Sequence, residues 1–108
     1  MTKRGLLLAP AAALLLPLPP PAAAAPQALK THVVVMDKMK FGPVPAQVRV
    51  GDTILWVNKD LFRHTATAKN GAFNVDLQPG AKGRTVVRQA GAIPFFCKFH
   101  PGMRGGLK

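Results

Sequence analysis

The sequence predicts an all-β fold, either a sandwich or a small barrel of short strands. Short apolar runs recur along residues 29–108, and Gly, Pro, Asn and Asp residues separate each run from the next. Short apolar runs separated by turn residues are typical of β-sandwiches and barrels. No window places its apolar residues at the spacing of an amphipathic helix. The chain has 108 residues, which is the size of one domain and excludes a multidomain enzyme.

Residues 1–25 are expected to form a secretory signal peptide that lies outside the fold. Two basic residues open this segment, an apolar run extends to Leu16, and four alanines end it at Ala25. A transmembrane helix needs about 20 consecutive apolar residues, and Pro17 stops the run before that length. A disordered tail and an uncleaved anchor are the alternatives. The expected mature domain is residues 26–108, in the periplasm or secreted.

The predicted strands follow one another at short intervals through this domain. Alternating or β-branched runs indicate strands at 32–36, 47–50, 53–58, 72–77, 85–87 and 93–97, with 105–108 closing the sheet. An irregular stretch is expected over 38–45, and the segment 61–68 carries His64 near its middle. The turn pair Asn70-Gly71 and the triplet Gln78-Pro79-Gly80 separate neighbouring runs. With a period of two, Ile54, Trp56 and Asn58 share one face of their strand.

The charge of the chain restricts its possible partners. There are 15 Lys+Arg against 4 Asp+Glu, which gives a net charge of +11. Removal of the two basic residues in segment 1–25 lowers this charge to +9. In an exported protein, such a charge favours an acidic protein or a membrane surface over nucleic acid. A merely solvated basic surface is the alternative.

The only cysteine lies in a segment with three potential metal ligands. Because Cys97 is alone, it cannot form an internal disulfide, so burial, an intermolecular bridge or a bound metal must account for it. Cys97, His100 and Met103 recur at intervals of three residues, and Pro101-Gly102 excludes a regular helix there. A loop can bring these three side chains to one point. Thiolate, imidazole and thioether together are the ligands of a blue-copper site.

A blue-copper site needs a second histidine. His64 is favoured because it follows a turn-rich loop, whereas His32 lies in the first predicted strand. His32 remains the alternative ligand. A thiol enzyme with Cys97 as nucleophile and a nearby histidine as base is a separate alternative, although no residue stands out as an orienting third group.

The sequence resembles the cupredoxins, and within them the plastocyanin/azurin-like blue copper proteins, from about His32 to Lys108. The similar segments are 41–43, 48–56, 64–67 and the Cys97 loop, whose spacing is most similar to that of amicyanin. The resemblance implies a Greek-key β-sandwich or barrel with one copper ion that cycles between Cu(I) and Cu(II). It also implies that the metal ligands are His64, Cys97, His100 and, in the axial position, Met103.

The resemblance further implies a function and a set of partners. The expected protein is a monomeric carrier of single electrons between redox proteins and is not an enzyme. A copper chaperone or sequestering protein on the same fold is the alternative. Redox proteins with acidic surfaces are the expected partners, including a c-type cytochrome and a dehydrogenase. Nucleic acid and stable membrane insertion are not expected.

Two residues near the expected ligands depart from the family pattern. Related proteins often have Asn directly after the first histidine and Ser or Thr directly after the cysteine, where they hold the loop by hydrogen bonds. This chain has Thr65 and Lys98 at those positions. Asn58 is a candidate source of a substitute hydrogen bond, and a turn-capping role is its alternative.

Overall fold

The computed structural model describes Gly5 and residues 12–20 and 28–108. It contains eight strands: β1 (Thr31–Asp37), β2 (Lys40–Phe41), β3 (Thr53–Asn58), β4 (His64–Ala68), β5 (Asn74–Leu77), β6 (Lys82–Val86), β7 (Ile93–Phe96) and β8 (Arg104–Leu107). The described part of the chain contains no helix. The predicted all-β sandwich is therefore confirmed.

The strands form two four-stranded sheets. The first sheet has the order β2-β1-β3-β6, and the second has the order β5-β4-β7-β8. β1 and β3 run parallel, from the pair Thr31–Thr53 to the pair Met36–Asn58. β4 and β7 run antiparallel, so the beginning of β4 and the end of β7 lie at the same end of the sandwich.

Aromatic side chains fill the space between the two sheets. Trp56 from the first sheet packs edge-on against Phe95 from the second, with ring centroids 5.1 Å apart. Phe41 meets the same Phe95 ring at 4.7 Å. The indole Nε1–H of Trp56 donates to Thr85 Oγ1 at 2.9 Å, which satisfies its only polar atom inside the core. The predicted inward face of β3 is confirmed, because Ile54, Trp56 and Asn58 are all fully buried.

The predicted strand at 47–50 is wrong. Arg49 N–H donates to the Asp52 carboxylate at 3.1 Å, and Asp52 N–H returns a bond to Arg49 O at 3.0 Å. These bonds close a turn in place of a ladder. Val48 packs against the core, but Val50 is 52% exposed. The alternating apolar pattern therefore lies in a loop, in which Val48 packs against the core and Val50 does not.

The remaining differences concern strand ends. β6 begins at Lys82, three residues before the predicted start, and β5 begins at Asn74 instead of residue 72. The expected closing segment pairs with β7 as β8. A two-residue strand, β2, forms inside the stretch expected to be irregular, and it pairs with the end of β1.

Most of the expected signal segment 1–25 lies outside the described residues, so the signal peptide and the boundary at residue 26 remain predictions. Its described parts, Gly5 and residues 12–20, are exposed and have neither helix nor strand. Among the described residues, no helix has the length and hydropathy needed to span a membrane.

A buried carboxylate fixes the start of β1. Asp52, 2% exposed, accepts hydrogen bonds from Lys30 N–H at 2.9 Å, from Arg49 N–H and from His32 Nε2 at 2.8 Å. The bond from His32, followed by the two backbone donors, lowers the pKa of Asp52 to about 2. His32 is therefore occupied by a structural contact.

We expect Asp52→Asn to destabilise the metal-free protein near neutral pH and to remove part of the loss of stability that the wild type shows in acid. The folded-state pKa of about 2 lies below the value of about 3.9 for a free aspartate. The stabilisation by Asp52 is therefore complete above pH 4 and disappears as the pH falls through about 2. Urea midpoints should separate wild type from Asp52→Asn at pH 6 and converge near pH 2. Asp37→Asn, which removes an exposed carboxylate, is the charge-matched control. A gap between wild type and Asp52→Asn that stays constant with pH would contradict this account.

Candidate metal centre

Two strands of the second sheet bring the candidate ligands to one end of the sandwich. His64 is the first residue of β4, and Cys97 directly follows the last residue of β7. Because these strands are antiparallel neighbours, both residues emerge side by side although 33 positions separate them in sequence. The loop after Cys97 then returns His100 to the same place.

The three side chains present their ligand atoms to one point. Cys97 Sγ lies 3.7 Å from His64 Nδ1 and 3.7 Å from His100 Nδ1, and all three atoms lie within 4.8 Å of one another. Two atoms bound about 2.0–2.3 Å from a shared metal ion at trigonal angles are separated by roughly 3.7 Å. The group therefore fits a single metal ion, and its thiolate and imidazoles are the donors that copper prefers.

The structure places the two candidate histidines in different surroundings. It brings His64 to Cys97 and His100. His32, near the start of β1, bonds instead to Asp52. His64 and Cys97 are fully buried, and His100 is half-buried. One imidazole of the group therefore faces the surface while the rest of it is shielded from water.

Met103 closes the loop that carries Cys97 and His100. Its N–H donates to His100 O at 2.8 Å, and its own carbonyl accepts from Cys97 N–H at 3.0 Å. The side chain is 4% exposed and belongs to the hydrophobic core. These bonds turn the loop back toward Cys97 and leave the Met103 side chain buried.

The environment of Cys97 favours its thiolate form. Complete burial opposes ionisation, but Thr65 N–H donates to Sγ at 3.3 Å and both imidazoles lie against the sulfur. These contacts together outweigh burial and lower the pKa of Cys97 to about 6. The thiolate is the form that binds metal.

Asp60 orients the ring of His64, and the sequence analysis did not identify it. Its Oδ2 accepts from His64 Nε2 at 2.8 Å and from Met39 N–H at 2.9 Å. The bond to His64 lowers the pKa of Asp60, so the carboxylate is ionised at neutral pH. A carboxylate on one imidazole nitrogen leaves the other nitrogen free for a metal. The available signal was the acid four residues before the histidine, in the turn that leads into β4.

Asn58 holds the turn that carries Asp60. Its Oδ1 accepts from Asp60 N–H at 2.9 Å, and its Nδ2 donates to the carbonyls of Phe62 and Leu77 at 2.8 and 3.0 Å. Of the two roles considered for Asn58, turn capping is confirmed. A contact with the Cys97 loop is not among its hydrogen bonds.

Exposed apolar side chains surround the surface edge of His100. The ring of Phe62 lies 6.1 Å from the His100 ring, and Leu61, Phe62 and Phe99 are all exposed. We call these three residues the apolar rim. Arg63 packs over the Phe99 ring at 4.7 Å and forms a two-pronged ion pair with Asp76. The rim is therefore anchored at one side by a fixed cation.

Known proteins place this fold and donor group in one family. Residues 6–107 match the cupredoxin-like domain, and the chain belongs to that family. Amicyanin from Paracoccus versutus is 31% identical over 79 residues, and the match covers 68% of this chain and 60% of the relative. Amicyanin from Paracoccus denitrificans is 30% identical over 82 residues, with the same coverage. The chain thus spans about 60% of the length of these curated relatives.

A solved structure agrees with the sequence similarity. The Cu(I) form of an amicyanin methionine variant superposes with a TM-score of 0.65 at 28% identity, over 79% of this chain and 87% of that one. The family match, the amicyanin relatives and this superposition agree with the two-sheet fold and with the grouped His-Cys-His donors.

We expect the metal-free protein to show an acidic cysteine. Thiolate absorbance near 240 nm should rise with a midpoint near pH 6, against about 8.5 for a free cysteine. His100→Ala should move the midpoint upward, because the variant loses the imidazole whose Nδ1 lies 3.7 Å from the sulfur and can donate to it. His32→Ala, which removes a histidine outside the group, is the control. A wild-type midpoint above pH 8 would contradict the described environment.

Proposed function

We propose that His64, Cys97, His100 and Met103 would together hold one copper ion, and that the protein carries single electrons between redox proteins. The observation that supports this assignment most strongly is the convergence of one buried sulfur and two imidazole nitrogens at 3.7 Å. The alternative of a thiol enzyme is disfavoured because Cys97 is fully buried and cannot reach a substrate.

The role of the protein in this mechanism is to keep the metal ligands in fixed positions. Copper, when bound, supplies a one-electron couple between Cu(I) and Cu(II). Asp60 fixes the His64 ring, and Thr65 N–H fixes the sulfur of Cys97. Ligands that keep their positions in both oxidation states reduce the rearrangement that accompanies electron transfer. The burial of His64 and Cys97 keeps water and substrates away from the site, which suits a carrier better than an enzyme.

The apolar rim around His100 is the proposed surface through which electrons leave and enter. His100 is the half-buried member of the group, so its ring offers a short route to a partner that covers the rim. Two exposed cations, Lys98 and Arg104, lie within or beside the ligand loop. A shallow cavity of about 220 Å³ lies beside Arg104, which lines it together with Lys69, Phe96 and Pro101.

The charges on this side of the protein favour an acidic partner. Three of the four carboxylates have a partner inside the chain: Asp52 pairs with His32, Asp60 with His64 and Asp76 with Arg63. Residues 26–108 hold 13 Lys+Arg against these four carboxylates, so the domain keeps a net charge of +9 with neutral histidines. A redox protein with an acidic docking surface, such as a c-type cytochrome or a dehydrogenase, complements this distribution.

Export to the periplasm or beyond the cell is proposed from segment 1–25. A basic start, a short apolar run and a stretch of alanines have the order of a secretory signal. Cleavage near Ala25 would leave the domain 26–108 with all residues of the proposed centre.

Substitution of the ligands tests the assignment of the centre. Cys97→Ser should abolish the blue colour of the Cu(II)-loaded protein, because a hydroxyl gives no thiolate charge-transfer band. His64→Ala and His100→Ala should weaken copper binding or change the colour. His32→Ala should keep the wild-type visible spectrum. Loss of colour in His32→Ala, together with a normal spectrum in His64→Ala, would overturn the assignment.

Copper should stabilise the fold. A ligand present at 100 times its dissociation constant contributes about 2.7 kcal/mol, which raises the melting temperature of a domain this small by roughly 10–20 °C. Thermal unfolding of metal-free and Cu(I)-loaded protein measures the shift, and Cys97→Ser should lose most of it. Superimposable wild-type melting curves would argue against a site formed in the folded state.

Charge reversal beside the ligand loop tests the docking surface. Lys98→Glu and Arg104→Glu should slow second-order electron transfer with an acidic redox protein, with little change in the visible spectrum. The wild-type rate should fall as salt rises, because exposed charges are screened beyond about 8–10 Å. Lys82→Glu and Arg84→Glu, exposed on β6 in the other sheet, make the same change in net charge and serve as controls. Stopped-flow rates that are insensitive to salt, or equally slow in the controls, would contradict this docking surface.

A further inference from the structure

The exposed large apolar side chains of residues 28–108 form two groups at opposite ends of the sandwich. One group, Met39 and the apolar rim, lies at the metal end. The other group consists of Leu29, Val33, Val50 and Val86, which are between 49% and 72% exposed. We call these four residues the distal patch. Apolar side chains that are grouped on a surface mark a site of contact with a protein or a membrane.

Strand direction places the distal patch away from the metal centre. β1 and β3 run parallel and reach the metal end at the pair Met36–Asn58, where Asn58 holds the turn that leads to His64. The opposite end of the two strands is the pair Thr31–Thr53. The distal patch surrounds this second pair. A partner at the distal patch therefore leaves the metal centre and the apolar rim uncovered.

Backbone contacts bring members of the distal patch together. Leu29 packs against Gly51, where an added Cβ atom would lie 2.9 Å from Leu29 Cδ2. Val50 directly precedes this glycine. Gly51 N–H donates to Val87 O at 2.7 Å, which holds the turn before β3 beside the end of β6 and so beside Val86. These three apolar side chains therefore lie on neighbouring segments of one surface.

Exposed cations accompany the distal patch. Val33 and Arg84 lie in one cross-strand row on either side of Leu55, so the patch and its cations extend over the outer face of the first sheet. Every cation of this set lies one or two positions from a patch residue in the sequence. The set consists of Lys30, Arg49, Arg84 and Arg88, all exposed.

In the described part of the chain, no exposed side-chain carboxylate lies beside these cations to offset them. Asp52 belongs to the same turn, but it is 2% exposed and bonds to a histidine and two backbone amides. The other acids lie toward the metal end: Asp37 ends β1, and Asp60 and Asp76 pair with residues at the beginning of β4. The distal surface is therefore apolar and cationic, which complements an anionic partner.

We propose that the distal patch and its four cations form a docking surface for an anionic lipid membrane. Cations near anionic headgroups and shallowly buried aliphatic side chains are two weak contributions that together give reversible attachment to lipid. A second copy of the chain is disfavoured, because a shared interface would bring like charges together. An acidic protein is disfavoured here, because the patch holds only valines and a leucine, whereas protein interfaces are enriched in aromatic residues.

Attachment at the distal patch has a consequence for electron transfer. The apolar rim and the surface edge of His100 would face away from the lipid, toward a soluble redox partner. This consequence rests on the proposed electron-carrier function. Binding to lipid does not, because the distal patch contains no ligand of the metal centre.

The test is cosedimentation of the metal-free protein with vesicles made of equal parts of phosphatidylglycerol and phosphatidylcholine. Wild type should bind at low salt, lose binding as salt rises and not bind vesicles of phosphatidylcholine alone. Residues 26–108, which contain all eight strands, are compared with the full chain. The comparison separates binding by the domain from binding by the apolar segment 1–25.

One pair of substitutions tests the contribution of charge. Each cation near an anionic membrane strengthens binding about fivefold, so Arg49→Gln combined with Arg88→Gln should weaken binding roughly 25-fold. Arg49 bonds to Asp52 through backbone atoms, so the substitution keeps those contacts. Lys40→Gln combined with Lys59→Gln removes the same charge from exposed positions at the metal end. This control should change binding by less than about fivefold.

A second pair tests the apolar contribution. Each CH₂ group buried in lipid strengthens binding about fourfold, so Leu29→Ser combined with Val50→Ser should weaken binding roughly tenfold or more. Leu61→Ser combined with Phe62→Ser removes exposed apolar surface from the rim and is the matched control. It should bind the vesicles as wild type does.

Specific results overturn the proposal. Equal binding to vesicles with and without phosphatidylglycerol would show that anionic lipid is not the partner. Wild-type binding in both distal variants, or weaker binding only in the controls, would show that another surface or segment 1–25 makes the contact. If residues 26–108 do not fold, the same variants in the full chain decide by the same criteria. A wild type that binds these vesicles but no copper would refute the proposed function and leave the docking surface supported.

Discussion

The structure depends on the stabilisation of one buried anionic sulfur. Cys97 is fully buried, and a buried charge is costly unless donors surround it. Here the Thr65 backbone amide donates to the sulfur and two imidazoles lie beside it, and together they lower the pKa of the thiol to about 6 despite burial. The metal ion that this group fits completes the same compensation. The arrangement works only if residues from β4 and from the loop after β7 are held at fixed separations.

Packing and hydrogen bonds in the core of the sandwich fix the distances between β4 and the loop after β7. Trp56 packs against Phe95 and so joins the two sheets face to face. Phe95 lies in β7, two residues before Cys97. Asn58, on the buried face of β3, holds the turn in which Asp60 orients His64. His64 and Cys97 are thus tied to the core by contacts that do not involve a metal. The fold thereby limits the movement of these two side chains relative to each other.

The sequence was informative where a residue type has few possible uses. A lone cysteine with histidine and methionine at steps of three predicted the loop of the centre, and the period of two predicted the buried face of β3. It failed where long-range partners decide: the 47–50 run becomes a turn because Asp52 engages Arg49. The roles of Asp60 and Thr65 were also missed, because short polar residues in turns and strand ends have many possible partners. Only the meeting of β4 with the Cys97 loop determines which partner each one takes.

The central claim is that the folded chain forms the centre before copper arrives. Crystal structures of the metal-free and Cu(II)-loaded protein under the same conditions test it most directly. We predict that the distances from Cys97 Sγ to His64 Nδ1 and His100 Nδ1 stay near 3.7 Å in both, with the Asp60 and Thr65 contacts unchanged. A metal-free structure in which His64 has rotated away from Cys97, or in which the Cys97 loop has separated from β4, would contradict the claim.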